Sequence, residues 1–184
     1  MAHVQNNSEY DFTLILTGVK SLNREIADAL FEAGCDDATP SLRLGQVYLT
    51  FSRTATTMAD AILSAIRDVR KSRLGADVLR VDPCNLVTQA EIARRINRSR
   101  QLVSQYIVGN RGPGGFPPPA CYISDESPLW YWCEVAYWLR ENSLLPEQEF
   151  RDARDIAMIN AQLAYQHQCK MSGELCNEVR EALA

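Results

Sequence analysis

The chain has 184 residues, 46% apolar and 23% charged, the composition of a globular protein with its own core. It has no run of 18 apolar residues, so no membrane span is expected, and the polar stretch Met1–Asp11 lacks the apolar segment of a secretion signal. The net charge of −4 is unfavourable for a nucleic-acid binder, but the distribution matters more than the total: residues 86–116 carry five arginines and one glutamate, while residues 117–184 carry a net −6.

The first 83 residues alternate strands and helices. Tyr10–Thr17 is β-rich and apolar and ends at Gly18. Ser21 can cap a helix to about Ala33, with Leu22, Ile26, Ala29 and Leu30 on one face and Gly34 as the stop. Asp37–Leu44 reads as a weak strand, placed at a sheet edge by Pro40. Val47–Phe51 alternates as a strand, Thr57–Lys71 is an amphipathic helix, and Ala76–Val81 is a last strand closed by Asp82-Pro83. The order β-α-β-β-α-β matches the ferredoxin-like split β-α-β pattern. Many functions share that fold. An acylphosphatase-type enzyme is one occupant, but Thr17-Gly18-Val19-Lys20 is too short and too poor in glycine for its phosphate-binding loop. A partner-binding or dimerising module is therefore expected here.

Residues 86–110 carry the functional signal. Thr88 and Glu91 have capping-box spacing and start a helix with Ile92, Ala93 and Ile96 inward. Asn97 suits the left-handed turn between two crossing helices, and small Ala93 lets them approach. Ser99 caps the second helix, with Leu102, Val103, Tyr106 and Ile107 inward and Gly109 as its end. Arg100, Gln101, Ser104 and Gln105 then face outward. Arginine can pair bidentately with guanine and glutamine with adenine, and the start of a second helix is where such units meet the major groove. The basic window is Arg94, Arg95, Arg98, Arg100 and Arg111, and Arg98 stands among the expected DNA contacts.

This stretch resembles the helix-turn-helix of many bacterial repressors, in which Ser-x-x-x-Val-Ser follows a glycine or asparagine turn. The resemblance implies base contacts for Arg100, Gln101 and Gln105 and phosphate contacts for Thr88, Ser99 and Ser104. Beyond it, Asn110–Pro119 is a Gly/Pro-rich loop carrying Arg111. Tyr122-Ile123 can be a strand, Asp125–Ser127 a turn, Leu129–Trp132 the returning strand and Cys133–Arg140 a helix. A ribbon after a recognition helix reads as a wing, with Arg111 on its loop. The Gly-Phe-Pro-x-Pro segment, the hairpin ending in Leu-Trp and the helix Glu134–Leu139 resemble the winged domain of MerR-type, excisionase and AlpA-like proteins. More broadly, residues 10–140 resemble a family of bacterial proteins that join a ferredoxin-like half to such a unit. The chain departs from MerR regulators in placing the winged unit second and in lacking a long coiled coil and effector domain, so metal or drug sensing is not carried over. Trp130 and Trp132 could stack single-stranded bases, but core packing of the wing is the better reading.

Six scattered cysteines, none in a Cys-x-x-Cys pair, and only two histidines, His3 and His167, give no zinc spacing. No metal or cofactor is implied, and the thiols are expected to be reduced, mostly buried and cytoplasmic. No Ser-His-Asp, Cys-His or paired-carboxylate spacing marks an enzyme. From Pro146 the tail reads as a helix with an alanine-rich stripe and, after Gly173, a last short helix, serving either as core cover or as a dimer arm. The expected architecture is α+β: a ferredoxin-like domain over 1–83, a winged helix-turn-helix over 84–142 and a helical tail over 143–184. The expected function is a sequence-specific DNA-binding transcriptional regulator, a repressor, acting on double-stranded DNA as a homodimer. The alternatives are an antitoxin-like autorepressor that grips a protein partner through its N-terminal domain, and an excisionase-like architectural factor.

Overall fold

A computed structural model describes residues 7–121 and 127–183. The protein is α+β and forms two compact units. One takes the chain to Pro83 and again from Met158; the other is Cys84–Ala157.

The first unit opens with β1 (Ser8–Thr17), α1 (Arg24–Glu32), β2 (Ala38–Arg43), β3 (Gln46–Ala55), α2 (Met58–Lys71) and β4 (Asp77–Asp82). The strands form one antiparallel sheet in the order β2-β3-β1-β4. Alternation along β3 buries Val47, Leu49, Phe51 and Arg53, while α2 buries Ala61, Ile62, Ala65, Ile66 and Val69. Phe12 and Phe51, opposite each other in register, stack at 5.1 Å. Gly18, at φ +85°, passes so close to Gly75 that any Cβ would overlap its carbonyl oxygen. The cap of α1 is Asn23, not Ser21: its Oδ1 accepts the Ile26 N–H at 2.9 Å, so the helix begins later than its apolar pattern.

Arg53 is the one charged residue buried in this core, at 8% exposure among the described residues. It donates to Asp37 from Nε at 2.7 Å and Nη2 at 2.8 Å, and from Nη1 to Asp68 at 2.9 Å and Ser64 at 3.1 Å. Its second Nη2 bond goes to the Gly34 carbonyl at 2.7 Å. Burial, with Asp68 next in weight, pushes the neighbouring Cys35 thiol up to about 11.

Each edge of the sheet is partly capped. The Ser52 N–H donates to the Asp37 carbonyl at 3.2 Å, so by ladder alternation the even-numbered backbone groups of β2 point away from β3. Pro40 has no N–H to offer there, and the Ala38 N–H is taken by the Cys35 carbonyl at 3.2 Å. At the other edge, the Asn160 side chain accepts the Val81 N–H at 2.7 Å and donates to the Val81 carbonyl at 2.9 Å.

The second unit holds β5 (Leu86–Thr88), α3 (Gln89–Arg95), α4 (Arg100–Ile107), β6 (Leu129–Tyr131) and α5 (Trp132–Glu141). Leu86–Thr88 pairs antiparallel with Leu129–Tyr131, and Cys121 bridges to Leu129. Leu86–Thr88 is thus a strand rather than the lead into a helix, and Trp132 opens α5 instead of ending β6. The expected strand at Tyr122-Ile123 and most of the turn at Asp125–Ser127 lie outside the described residues. Val87, Ile92, Val103, Trp130, Val135 and Leu139 form the centre of the core.

The tail is not a third unit. It is α6 (Glu147–Met171) followed by α7 (Gly173–Ala182). Ala153 and Phe150 pack in the Cys84–Ala157 core. Further along α6, Lys170 pairs with Asp77 at 2.6 Å and Gln166 accepts from Arg70 at 3.4 Å. Burial pushes the Asp77 carboxyl up, but bonds from Lys170 and Arg70 outweigh it and hold it down at about 2. The expectation of reduced, mostly buried cysteines is corrected. The break at Ser172 folds α7 back so that Cys169 and Cys176 come within 5.3 Å at Cα and are disulfide-bonded. Of the other four, only Cys35 is buried; Cys84 is exposed, and Cys121 and Cys133 are half-buried. No helix among the described residues is long and apolar enough to cross a membrane.

Replacing Arg53 with alanine leaves Asp37 without its cation and Asp68 with only the Lys71 ammonium, at 3.0 Å. The variant should lose about 3–5 kcal/mol of stability, read from urea unfolding at pH 7. A loss below about 1 kcal/mol, the range of an exposed pair, would contradict a buried clamp.

Candidate nucleic-acid interface

Four backbone atoms and one asparagine set the angle between α3 and α4. Asn97 stands at φ +50°, the Arg98 N–H donates to the Ala93 carbonyl at 2.9 Å, and the Asn97 N–H to the Arg94 carbonyl at 3.2 Å. This is a Schellman ending with asparagine in the place usually held by glycine. The end of α4 repeats it: Gly109 is at φ +74°, Asn110 donates to the Gln105 carbonyl at 2.9 Å and Gly109 to the Tyr106 carbonyl at 3.2 Å. Ala93, at 3% exposure, lies in the core beside Ile92 and Val103. Gln89 Nε2 ties the helices by donating to the Arg100 carbonyl at 2.9 Å.

Both expected hydroxyl caps are present. Ser99 Oγ accepts the Leu102 N–H at 3.2 Å and Thr88 Oγ the Glu91 N–H at 3.2 Å. Each hydroxyl keeps its own O–H as a donor toward solvent. The capping box is only half made, because the Glu91 carboxylate turns away from Thr88. It accepts from Arg94 at 2.6 and 2.9 Å and from Arg95 at 2.9 Å. Arg95 also lies 4.9 Å over the Trp132 ring and donates to the Cys84 carbonyl at 3.3 Å. Two of the five arginines in the basic window are therefore engaged in holding α3 in place.

Arg98, Arg100 and Arg111 remain, all exposed and none in a salt bridge among the described residues. Arg98 and Arg100 flank the start of α4. Arg111 follows its far end, where its N–H donates to the Gln105 carbonyl at 3.2 Å. The eight residues of α4 span about 12 Å, so the basic groups sit at both ends of one helix. Gln101 is exposed, whereas Ser104 and Gln105 are half-buried.

The loop that carries Arg111 is anchored by tryptophans. Trp138 Nε1 donates to the Gly114 carbonyl at 2.9 Å and Trp130 Nε1 to the Pro117 carbonyl at 3.1 Å. Phe116 meets Trp138 edge-on at 5.1 Å, and Trp138 meets Tyr106 at 5.4 Å. Gly112, at φ +83°, lies where a Cβ would come 3.1 Å from Tyr106 Cδ1. With Trp130, Trp132 and Trp138 at 2%, 9% and 7% exposure, the indoles are core groups and not stacking platforms for bases. A further positioning residue gave no signal in the sequence: Asn85 accepts the Trp132 N–H on its carbonyl at 2.6 Å and the Cys133 N–H on Oδ1 at 2.9 Å, capping α5 from the strand side.

No protein-family model, curated protein or solved structure was found to match the chain.

The Arg94 hydrogen bonds, with those of Arg95, pull the Glu91 carboxyl down to about 2 from an ordinary value of 4.5, against the opposing pull of burial. A carboxylate with a depressed folded value stabilises above its unfolded value, and this is lost as pH falls from about 4.5 toward 2. Acid unfolding in that window should be shallower for Glu91→Gln than for the wild type, with stability at pH 7 reduced. Parallel acid profiles would show that the Glu91 cluster does not act on the fold.

Proposed function

We propose that the protein is a sequence-specific DNA-binding transcriptional regulator, a repressor and not an enzyme. In this reading α3 and α4 form a helix-turn-helix, β6 and the loop after α4 belong to its wing, and the sheet unit is a ferredoxin-like module. The observation that carries the proposal is the start of α4: Arg98 just before it and Arg100 and Gln101 on it stand exposed, the arginines without salt bridges among the described residues, on a helix whose entry is fixed by the Asn97 turn and the Ser99 cap. That end of a second helix is the part that enters the major groove. Arg100 and Gln101 read base edges, with Gln105 further along. Thr88, Ser99 and Ser104 donate to phosphate, and Arg98 and Arg111 neutralise it.

Three uncommitted arginines are few for tight binding at physiological salt, because each neutralised phosphate adds one counterion to the release term. A homodimer on an inverted repeat, with half-sites about 34–36 Å apart, doubles the contacts. Its contacts lie outside residues 86–140. Of the two surfaces that could pair, the Pro40 edge of the sheet is poor in free donors. The tail helix is favoured, with Ala161 and Ala164 exposed along it.

The test is selection of duplexes from a random library with the full chain, followed by affinity measurements on selected and random DNA. Arg100→Ala should cost about 1–3 kcal/mol on the selected duplex and much less on random DNA. Arg111→Ala should weaken both alike and lower the salt slope by about one unit. Equal losses on both DNAs for Arg100→Ala would demote it to a phosphate contact. Absence of any enriched sequence would overturn the proposal.

A further inference from the structure

On the Cys84–Ala157 unit a cleft of about 380 Å3 opens between the loop at Gly115 and Pro117 and the helices α5 and α6. That volume is within the range of small-molecule sites. The rings of Tyr137, Trp138 and Phe150 line it, and Tyr137 is 50% exposed, much for a tyrosine in an aromatic cluster. Two of them, Tyr137 and Phe150, already accept a cation from within the protein: the Arg140 guanidinium carbon lies 5.0 Å from the Tyr137 centroid and 4.6 Å from that of Phe150.

The charges around the cleft decide what else it accepts. Arg140 is matched by Glu141 at 2.9 Å and Arg154 by Asp155 at 2.7 Å. Glu134, exposed in the first turn of α5 and also lining the cleft, forms no salt bridge among the described residues. The residual charge is therefore negative and sits beside aromatic faces.

We infer that this cleft binds a small organic cation, with an ammonium-type head beside Glu134 and an apolar body against Tyr137, Trp138 and Phe150. The inference stands apart from the DNA reading, since neither the cleft nor its test involves Arg98, Arg100 or Gln101.

The full chain is titrated with benzyltrimethylammonium while tryptophan emission is followed, with benzyl alcohol as the uncharged comparator. Saturable binding at about millimolar affinity is expected for a fragment of this size. Glu134→Gln should weaken the cation about threefold, Tyr137→Leu should weaken it about as much, and benzyl alcohol should not distinguish the wild type from Glu134→Gln. Both positions are exposed, and circular dichroism checks that the variants keep the fold. Absence of saturation well above millimolar concentration, or equal cation affinity in the wild type and either variant, overturns the inference.

Discussion

The indole of Trp138 joins parts of the Cys84–Ala157 unit that are far apart in the chain. It belongs to α5, meets Tyr106 of α4 and Phe116 of the loop, and donates to the Gly114 carbonyl. The described backbone between α4 and β6 is rich in prolines and glycines, and it joins β6 through the Ala120 N–H to the Leu129 carbonyl at 2.7 Å and the Leu129 N–H to the Cys121 carbonyl at 3.2 Å. Two indole N–H groups and one edge-on phenyl ring anchor its Gly114–Pro117 part. A smaller side chain at 138 would free the loop and loosen α4 together, since both rest on the same ring. Gly112 suits this arrangement: its φ of +83° favours glycine, and a Cβ there would press on the Tyr106 ring at 3.1 Å.

Around that core, the chain separates charges that hold the fold from charges that face outward. Glu91 takes two of the arginines, and Trp132 stacks under one of them. What is left at the surface is a pair of arginines at one end of α4 and one at the other. The count of basic residues in the window thus overstates what is available to an anion. The same sorting occurs in the sheet unit, where Arg53 is consumed by Asp37 and Asp68. On a helix, an acidic neighbour three or four residues away draws a basic side chain into a pair.

Much of this was legible in the residues. Period-two alternation in β3, the apolar face of α2 and the caps at Thr88 and Ser99 marked their elements, Asn97 marked a left-handed turn and Gly109 a helix end. Local chemistry set those features, so local sequence carried them. The rest depended on partners distant in the chain. Leu86–Thr88 is too short to show alternation and becomes a strand only because Leu129–Tyr131 lies beside it. Asn23 and Ser21 compete as caps within three residues, and the geometry at Ile26 decides. Glu91 has capping-box spacing, but two arginines on the next turn outbid Thr88 for its carboxylate. Asn85, Asn160 and the Cys169–Cys176 bond are long-range or fold-back contacts with no periodic trace.

The central claim proposed is that the exposed start of α4 and Arg111, beyond its far end, form a nucleic-acid surface. The most direct measurement is a map of backbone amide shifts by nuclear magnetic resonance as a duplex of selected sequence is added to the labelled full chain. The account predicts that the largest changes fall on residues 98–105 and on Arg111, with the sheet residues of β1 to β4 little affected. Changes centred on the sheet unit, or none at all while the duplex is bound, would contradict it.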